Sequence, residues 1–255
     1  GSLTGEQALM NSCNPYMIHL ALEMGNSRFA YYQSLFGFGK ITGIDLPGET
    51  TGIVYGDRMT TIDAACNSFG QTINVNMMQM MAAYCSIING GMLYQPHIVK
   101  RIESANGEVV KEYKANLVRQ TITASTSKLL RRYLKNTVEE GTAKKAGVTG
   151  YSVAGKTGTA QKGDRKDNKW IISFIGHAPA ENPKFAIYVV IDEPYGTTGT
   201  SGSSADVLTL THNILEKLLP YMNVYKDASD EYEDTSSSPD ELTVDGIPAG
   251  TASSN

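Results

Sequence analysis

The pattern of apolar and polar residues along this chain predicts two groups of elements, helices at first and then mainly sheet. Pro15 is placed to start a helix on which Ile18, Ala21, Leu22 and Met24 form the apolar positions. The passage Gly37–Glu49 is rich in glycine and reads as a long ordered loop. Met78, Met81, Ala82, Cys85 and Ile88 then repeat at helical spacing until Asn89-Gly90-Gly91 stops the run. A methionine-rich stripe of this kind is read as packing rather than as a binding groove. Pro96 to Ser104 and Glu108 to Tyr113 alternate around Asn106-Gly107, the signature of a β-hairpin. Thr123 or Ser125 caps a helix running to about Glu140, with Leu129, Leu130, Leu134 and Val138 facing inward.

The second part reads mainly as sheet. Tyr151–Gln161, Lys169–Ala178 and Lys184–Asp192 are three strands in succession with short polar connections, which predicts an antiparallel meander. Gly196 to Ser204 is a glycine, serine and threonine loop. Val207, Leu208, Thr211, Ile214, Leu215 and Leu218 mark an amphipathic closing helix that Pro220 ends. Helices first and a helix-backed antiparallel sheet afterwards is an α+β layout. Beyond Tyr225 the chain is acidic and serine-rich, with too little apolar surface to fold alone. The expected division is therefore one domain over residues 3–222 and a flexible tail over 223–255.

Composition narrows the classes. At 255 residues, 41% hydrophobic and 19% charged, the chain can bury a sizeable core. The net charge of -4 comes from the tail, where eight acids accompany one lysine from Lys226 onward. The body is mildly basic, too weakly so for a nucleic-acid partner. No apolar stretch reaches bilayer length, and Leu3 onward reads as the interior of a longer protein. Cys13, Cys66 and Cys85 have no metal-ligand spacing, and the latter two sit in apolar helical runs as small core residues. His19, His97, His177 and His212 are scattered without a partner pattern, and Trp170 reads as packed in the sheet.

Candidate chemistry concentrates in Val153–Gln161. As a strand this run places Lys156, Gly158 and Ala160 on one face, with Thr157 and Thr159 on the other. A cation, two hydroxyls and a position without a side chain suit an anionic, extended, peptide-like ligand. A rival reading exists, since Gly150-Tyr151-Ser152-Val153-Ala154-Gly155-Lys156-Thr157 also satisfies the phosphate-binding pattern of ATPases. Phe185–Glu193 would then be the strand that ends in acids. That reading requires an apolar strand before Gly150 and a helix directly after Thr157. The sequence has Lys144–Thr149 before and two further glycines after, which fits a strand running into a turn.

Lys156-Thr157-Gly158 and Ser12-Cys13-Asn14 together resemble two signatures of the class B penicillin-binding proteins, the monofunctional peptidoglycan transpeptidases. Similar family passages match Gly43–Glu49, Ser68–Gln71 leading to Met78–Met80, Asn89–Gly91 and Trp170–Pro179. The order and separations agree from about Leu3 to Leu219. The resemblance implies the penicillin-binding-protein and β-lactamase-like fold: an antiparallel sheet flanked by helices, with an all-helical lobe beside it. Sporulation and division members are the expected subgroup.

The resemblance also implies serine acyl transfer between stem peptides ending in D-alanyl-D-alanine, blocked by β-lactams, with no cofactor and no metal. Ser12 would relay a proton to the leaving nitrogen, Asn14 would orient the substrate amide, and Lys156 would supply positive potential. Thr157 and Thr159 would meet the substrate carboxylate, the Thr159 N–H would form half of an oxyanion hole, and Gly158 would give clearance. Considered alone, Ser12 and Asn14 read as ordinary helix caps.

The family nucleophile belongs to a serine-any-any-lysine tetrad before the serine-any-asparagine motif, and nothing upstream of Ser12 supplies it. Ser125-Thr126-Ser127-Lys128 is the one such tetrad present, in the wrong order and explicable as helix capping. The chain is thus expected to be the C-terminal portion of the domain and inactive alone. Its partners would be the upstream segment, stem peptide, β-lactams and division or sporulation proteins. Its location would be the outer face of the cell membrane. A β-lactam-hydrolysing or sensing protein of the same fold is the alternative, though the helix-like loop with a deacylating glutamate found in class A β-lactamases is not evident.

Overall fold

The computed structural model describes residues 2–194 and 203–227. Most of the predicted Gly196–Ser204 loop and the tail from residue 228 lie outside the described residues. The chain begins with helices α1 (Gly5–Met10), α2 (Asn14–Met24), α3 (Asn26–Leu35), α4 (Thr61–Asn67) and α5 (Met77–Ile88). Three of the five start with a reciprocal capping box, Thr4 with Gln7, Thr60 with Asp63 and Asn76 with Gln79, so short segments gain defined entry points.

Strands β1 (Met92–Gln95) and β4 (Asn116–Gln120) pair antiparallel, as do β2 (Arg101–Glu103) and β3 (Val109–Glu112). The hairpin around Asn106-Gly107 is therefore present, with Gly107 at φ 86°, but its ladder is much shorter than the alternation predicted. All seven of its residues are exposed, so no buried face extends the pairing.

Helix α6 (Ala124–Glu139) is capped by Thr123, whose hydroxyl accepts the Thr126 N–H. Strands β5 (Ala154–Lys162), β6 (Lys169–Ala178) and β7 (Phe185–Asp192) then form the predicted antiparallel meander in the order β5-β6-β7. Helix α7 (Ala205–Tyr221) closes the domain. Pro220 lies inside the last turn of α7 rather than beyond it, so the helix ends one residue after it at Tyr221. The chain stays packed past that point: Val224 is buried, and the Asp227 N–H donates to the Gly150 carbonyl at 2.8 Å.

The sheet is covered on both faces. Ile172 and Phe174 project to one side, where Val207, Leu208, Leu215 and Leu219 of α7 meet them. On the other side Ala154, Ile175 and Ala186 meet Tyr84 and Ile88 of α5 and Leu134 of α6. The two core clusters make the sheet the middle of three layers, with β5 at its edge.

Several apolar positions do not face as their spacing predicts. Leu22 and Met24 of α2, Leu129 of α6 and Ile214 of α7 are exposed, while Leu219 takes the inward position on α7. On α5 the fully buried side is Gln79, Ala83, Tyr84, Ser86 and Ile88, and Met78, Met81, Ala82 and Cys85 are only half-buried. The reason is polar stitching that hydropathy cannot see. The Gln79 amide donates to the carbonyls of Lys40 (2.6 Å) and Thr51 (3.0 Å), fixing the glycine-rich loop against the helix. Glu49 closes that loop by accepting from the backbone of Thr42 and Gly43, and those hydrogen bonds hold its carboxyl below the usual range against the opposing effect of burial.

Candidate active site

Ser12 sits in the turn between α1 and α2. The Ser12 N–H donates to Leu9 and the Cys13 N–H to Ala8, which folds the chain back and puts Ser12 at φ 50°. A non-glycine residue held in the left-handed region is strained, and such positions cluster at working sites. Neither Ser12 nor Asn14 caps α2. The N-cap residue is Cys13, with no side-chain cap bond. Asn14 occupies the first turn, exposed, and its amide makes no hydrogen bond among the described residues. Both side chains are therefore available to a ligand.

Lys156 lies on β5, and its Nζ donates to Ser12 Oγ across the gap between the helical lobe and the sheet edge. It also reaches the Thr157 carbonyl at 3.1 Å and Thr157 Oγ1 at 3.4 Å. Burial lowers its pKa from 10.5 to about 8, because no carboxylate is near enough to offset the desolvation. The site therefore holds a cation that lacks a counter-ion among the described residues, which is an electrostatic invitation to an anion.

Gly158 faces Ser173 on the neighbouring strand, and a Cβ there would stand 2.6 Å from Ser173 Oγ. Thr159 is exposed and Thr157 half-buried. Thr142, which precedes a turn packed under the sheet, places its Oγ1 3.4 Å from Thr157 Oγ1. Because β5 is the edge strand, one side of its ladder is open to an extended ligand.

The phosphate-loop reading does not survive. Lys156 is in the interior of a nine-residue antiparallel strand, and no helix N-terminus follows Thr157. The Ser125–Lys128 tetrad is helix-capping chemistry: Ser125 Oγ pairs with Thr123 Oγ1 at 2.9 Å, and buried Ser127 donates to the Ile87 carbonyl. A cavity of about 610 Å³ lies elsewhere, between Ser125, Arg131 and Lys135 of α6 and Glu181.

Sequence reasoning missed Thr137. Buried on α6, it donates through its hydroxyl to the carbonyl of Gly155, the residue before Lys156. A polar residue between Leu134 and Val138 on an inward helical face was the available signal.

Residues 1–216 match the family model described as the penicillin binding protein transpeptidase domain. The chain is 40% identical over 229 residues to Stage V sporulation protein D of Bacillus subtilis, covering 88% of this chain and 35% of that protein. It is 34% identical over 233 residues to the peptidoglycan D,D-transpeptidase FtsI of Escherichia coli, covering 89% of this chain and 37% of that protein. The chain thus spans about a third of the length of these curated relatives. Among solved structures, penicillin binding protein 3 of Mycobacterium tuberculosis superposes with a TM-score of 0.79 at 29% identity, over 88% of this chain and 53% of that one. With an edge-strand lysine facing a helical-lobe serine in a fold of this kind, the chain belongs to the penicillin-binding protein transpeptidase family, in its class B branch.

Proposed function

We propose that this chain is the C-terminal portion, over residues 3–222, of a peptidoglycan D,D-transpeptidase whose attacking serine lies on an upstream segment. The observation that carries this reading is the Lys156–Ser12 contact, which joins the two signature motifs at an open strand edge. In the reaction the upstream serine oxygen attacks the penultimate D-alanine carbonyl. A serine ester forms, the amide C–N bond breaks, and D-alanine leaves with a proton delivered to its nitrogen. The amine of a second stem peptide then attacks the ester, forming the cross-link and returning a proton to the serine.

Ser12 is the proton relay, since one hydroxyl can accept and donate together. Asn14 orients the substrate amide with its exposed side chain. Lys156 supplies positive potential at the carboxylate and favours proton movement through Ser12. Thr157 and Thr159 hydrogen-bond the carboxylate, the Thr159 N–H contributes to the oxyanion hole, and Gly158 lets the ligand backbone close on the strand. β-Lactams enter the same site, a reading supported by the solved relatives in complex with aztreonam and ampicillin.

The name of the Bacillus subtilis relative supports a sporulation setting. A division setting, partners from either assembly and a position on the outer face of the cell membrane complete the proposal. Among the described residues no helix is long and apolar enough to cross a membrane. The test is intact mass after incubation with a penicillin. This chain alone should remain unmodified, and the upstream segment should carry the adduct when both are present. An adduct on Ser125 sinks the proposal. Rapid loss of the adduct with release of penicilloate would instead favour a β-lactam hydrolase.

A further inference from the structure

The end of α6 and the turn that follows it hold both sides of the Ser12–Lys156 contact at once. Thr137 lends its hydroxyl to the Gly155 carbonyl on the strand side, and its own carbonyl takes the Ala143 N–H at 3.0 Å. Thr142 donates its backbone N–H to the Met10 carbonyl at 3.2 Å, two residues ahead of Ser12 on the lobe side. The turn nests there only because residue 141 is glycine. A Cβ at Gly141 would stand 2.9 Å from both the Met10 carbonyl oxygen and Thr137 Cα.

The Thr142 side chain is left over from this clamp. It is exposed, and its Oγ1 lies 3.4 Å from Thr157 Oγ1, which in turn lies 3.4 Å from Lys156 Nζ. A hydroxyl has one proton and two acceptor lone pairs. If Lys156 and Thr142 both donate to Thr157 Oγ1, its lone pairs are occupied and its own proton points outward. Both distances are long for such bonds, so the arrangement requires them to shorten when a carboxylate binds.

We propose that Thr142 is a positioning residue for carboxylate recognition: it donates to Thr157 and so aims the Thr157 proton at the terminal carboxylate of the peptide or β-lactam. The inference rests on the reading above in which Thr157 meets that carboxylate. It adds a residue from outside both signature motifs, carried to the site by the same turn that spaces them.

The test uses the enzyme as one polypeptide with its upstream segment. The second-order rate of acylation is measured with a penicillin and with the methyl ester of the same penicillin. Thr142→Val keeps the shape and removes the hydroxyl, and Thr142→Ser restores it. Acylation by the acid should fall about five- to tenfold in Thr142→Val, the loss of one neutral hydrogen bond, and recover in Thr142→Ser. The ester rate should be unmoved by either. Because the side chain is exposed, Thr142→Ala serves as a second deletion of the hydroxyl and should repeat the Val result. A loss shared equally by acid and ester assigns Thr142 to the clamp alone and overturns the proposal. So does an acid preference that survives Thr142→Val unchanged. If the unsubstituted enzyme and Thr157→Val both react equally fast with acid and ester, the carboxylate reading itself fails, and the proposal with it.

Discussion

Lys156 and Ser12 stand 144 positions apart in the chain, and their side chains meet as donor and acceptor. The contact spans the gap between a strained turn after α1 and the edge strand β5, and burial leaves the amine with a pKa of about 8. Two consequences have definite signs. In the unfolded chain the amine keeps its proton to about 10.5, so between pH 8 and 10.5 the unfolded state binds more protons. Stability attributable to this group therefore rises across that window, and below pH 8 the burial cost is present in full. Recognition runs the other way. The rate of acylation by a carboxylate-bearing penicillin should fall as pH climbs through about 8, since the cation is lost. Lys156→Ala should erase that limb of the pH–rate profile. A profile flat to pH 10 in the unsubstituted enzyme contradicts the role given to the charge.

Gly158 and Ser173 give a prediction about stability. A methyl group at residue 158 would approach Ser173 Oγ to 2.6 Å, so the serine side chain has to shift to admit it. Gly158→Ala should lower stability by about 1–3 kcal/mol, the usual cost of overpacking. Adding Ser173→Ala removes the obstructing oxygen and should recover most of the loss. Thermal melts of the two single variants and the double variant measure the coupling directly. Additive effects would mean that Gly158 serves only the ligand.

The sequence makes some of this readable and hides the rest, for physical reasons. β5, β6 and β7 are visible because β6 and β7 are apolar runs bounded by polar turns, as a sheet covered on both sides requires, and the predicted order of pairing is the observed one. Lys156 and Ser12 are legible as motif members, and the fold brings them into contact. The inward side of α5 is not legible, because Gln79 and Ser86 are buried through hydrogen bonds and hydropathy scores them as surface. The pairing of β1 with β4 escapes for a different reason. It closes around the intervening β2–β3 hairpin, and most of β4 is exposed, so no periodicity marks it. Thr137 leaves only a weak signal, a polar residue on an inward helical face, because its partner is the Gly155 backbone carbonyl, and Thr142 leaves none, because its place beside Thr157 is set by tertiary structure.

Tyr84 and His177 make a buried pair whose pH dependence can be signed. The carbonyl of Ala180, 3.1 Å from His177 Nε2, can only accept, so Nε2 carries the proton. Nδ1 then accepts from the Tyr84 hydroxyl at 2.8 Å. Burial pushes the imidazole pKa down to about 4, against an ordinary 6.5. Between these values the unfolded chain binds the extra proton, so the domain should lose stability as pH falls from 6.5 toward 4. His177→Gln should flatten that limb. Tyr84→Phe should cost about 1–3 kcal/mol by leaving Nδ1 unpaired. Denaturant midpoints at several pH values between 7 and 4 decide both.

The helical lobe carries the last prediction. Ile62 is 75% exposed on α4 and Leu22 is 45% exposed on α2, two helices that pack on one another, with Ile53 at 63% nearby in sequence on the preceding loop. Scattered apolar side chains are ordinary on a surface, but several on adjoining elements mark a face built to be covered. In the function proposed above an upstream segment completes the domain, and it is the natural cover. This chain alone should therefore sediment above its 27.6 kDa monomer mass and bind an apolar dye. Leu22→Lys with Ile62→Lys should reduce both effects, while changing folding stability by no more than about 0.5 kcal/mol per site, as expected for exposed positions. Linking the upstream segment should abolish dye binding and restore a monomer. If the isolated chain is a stable monomer that ignores the dye, the exposed residues are ordinary surface.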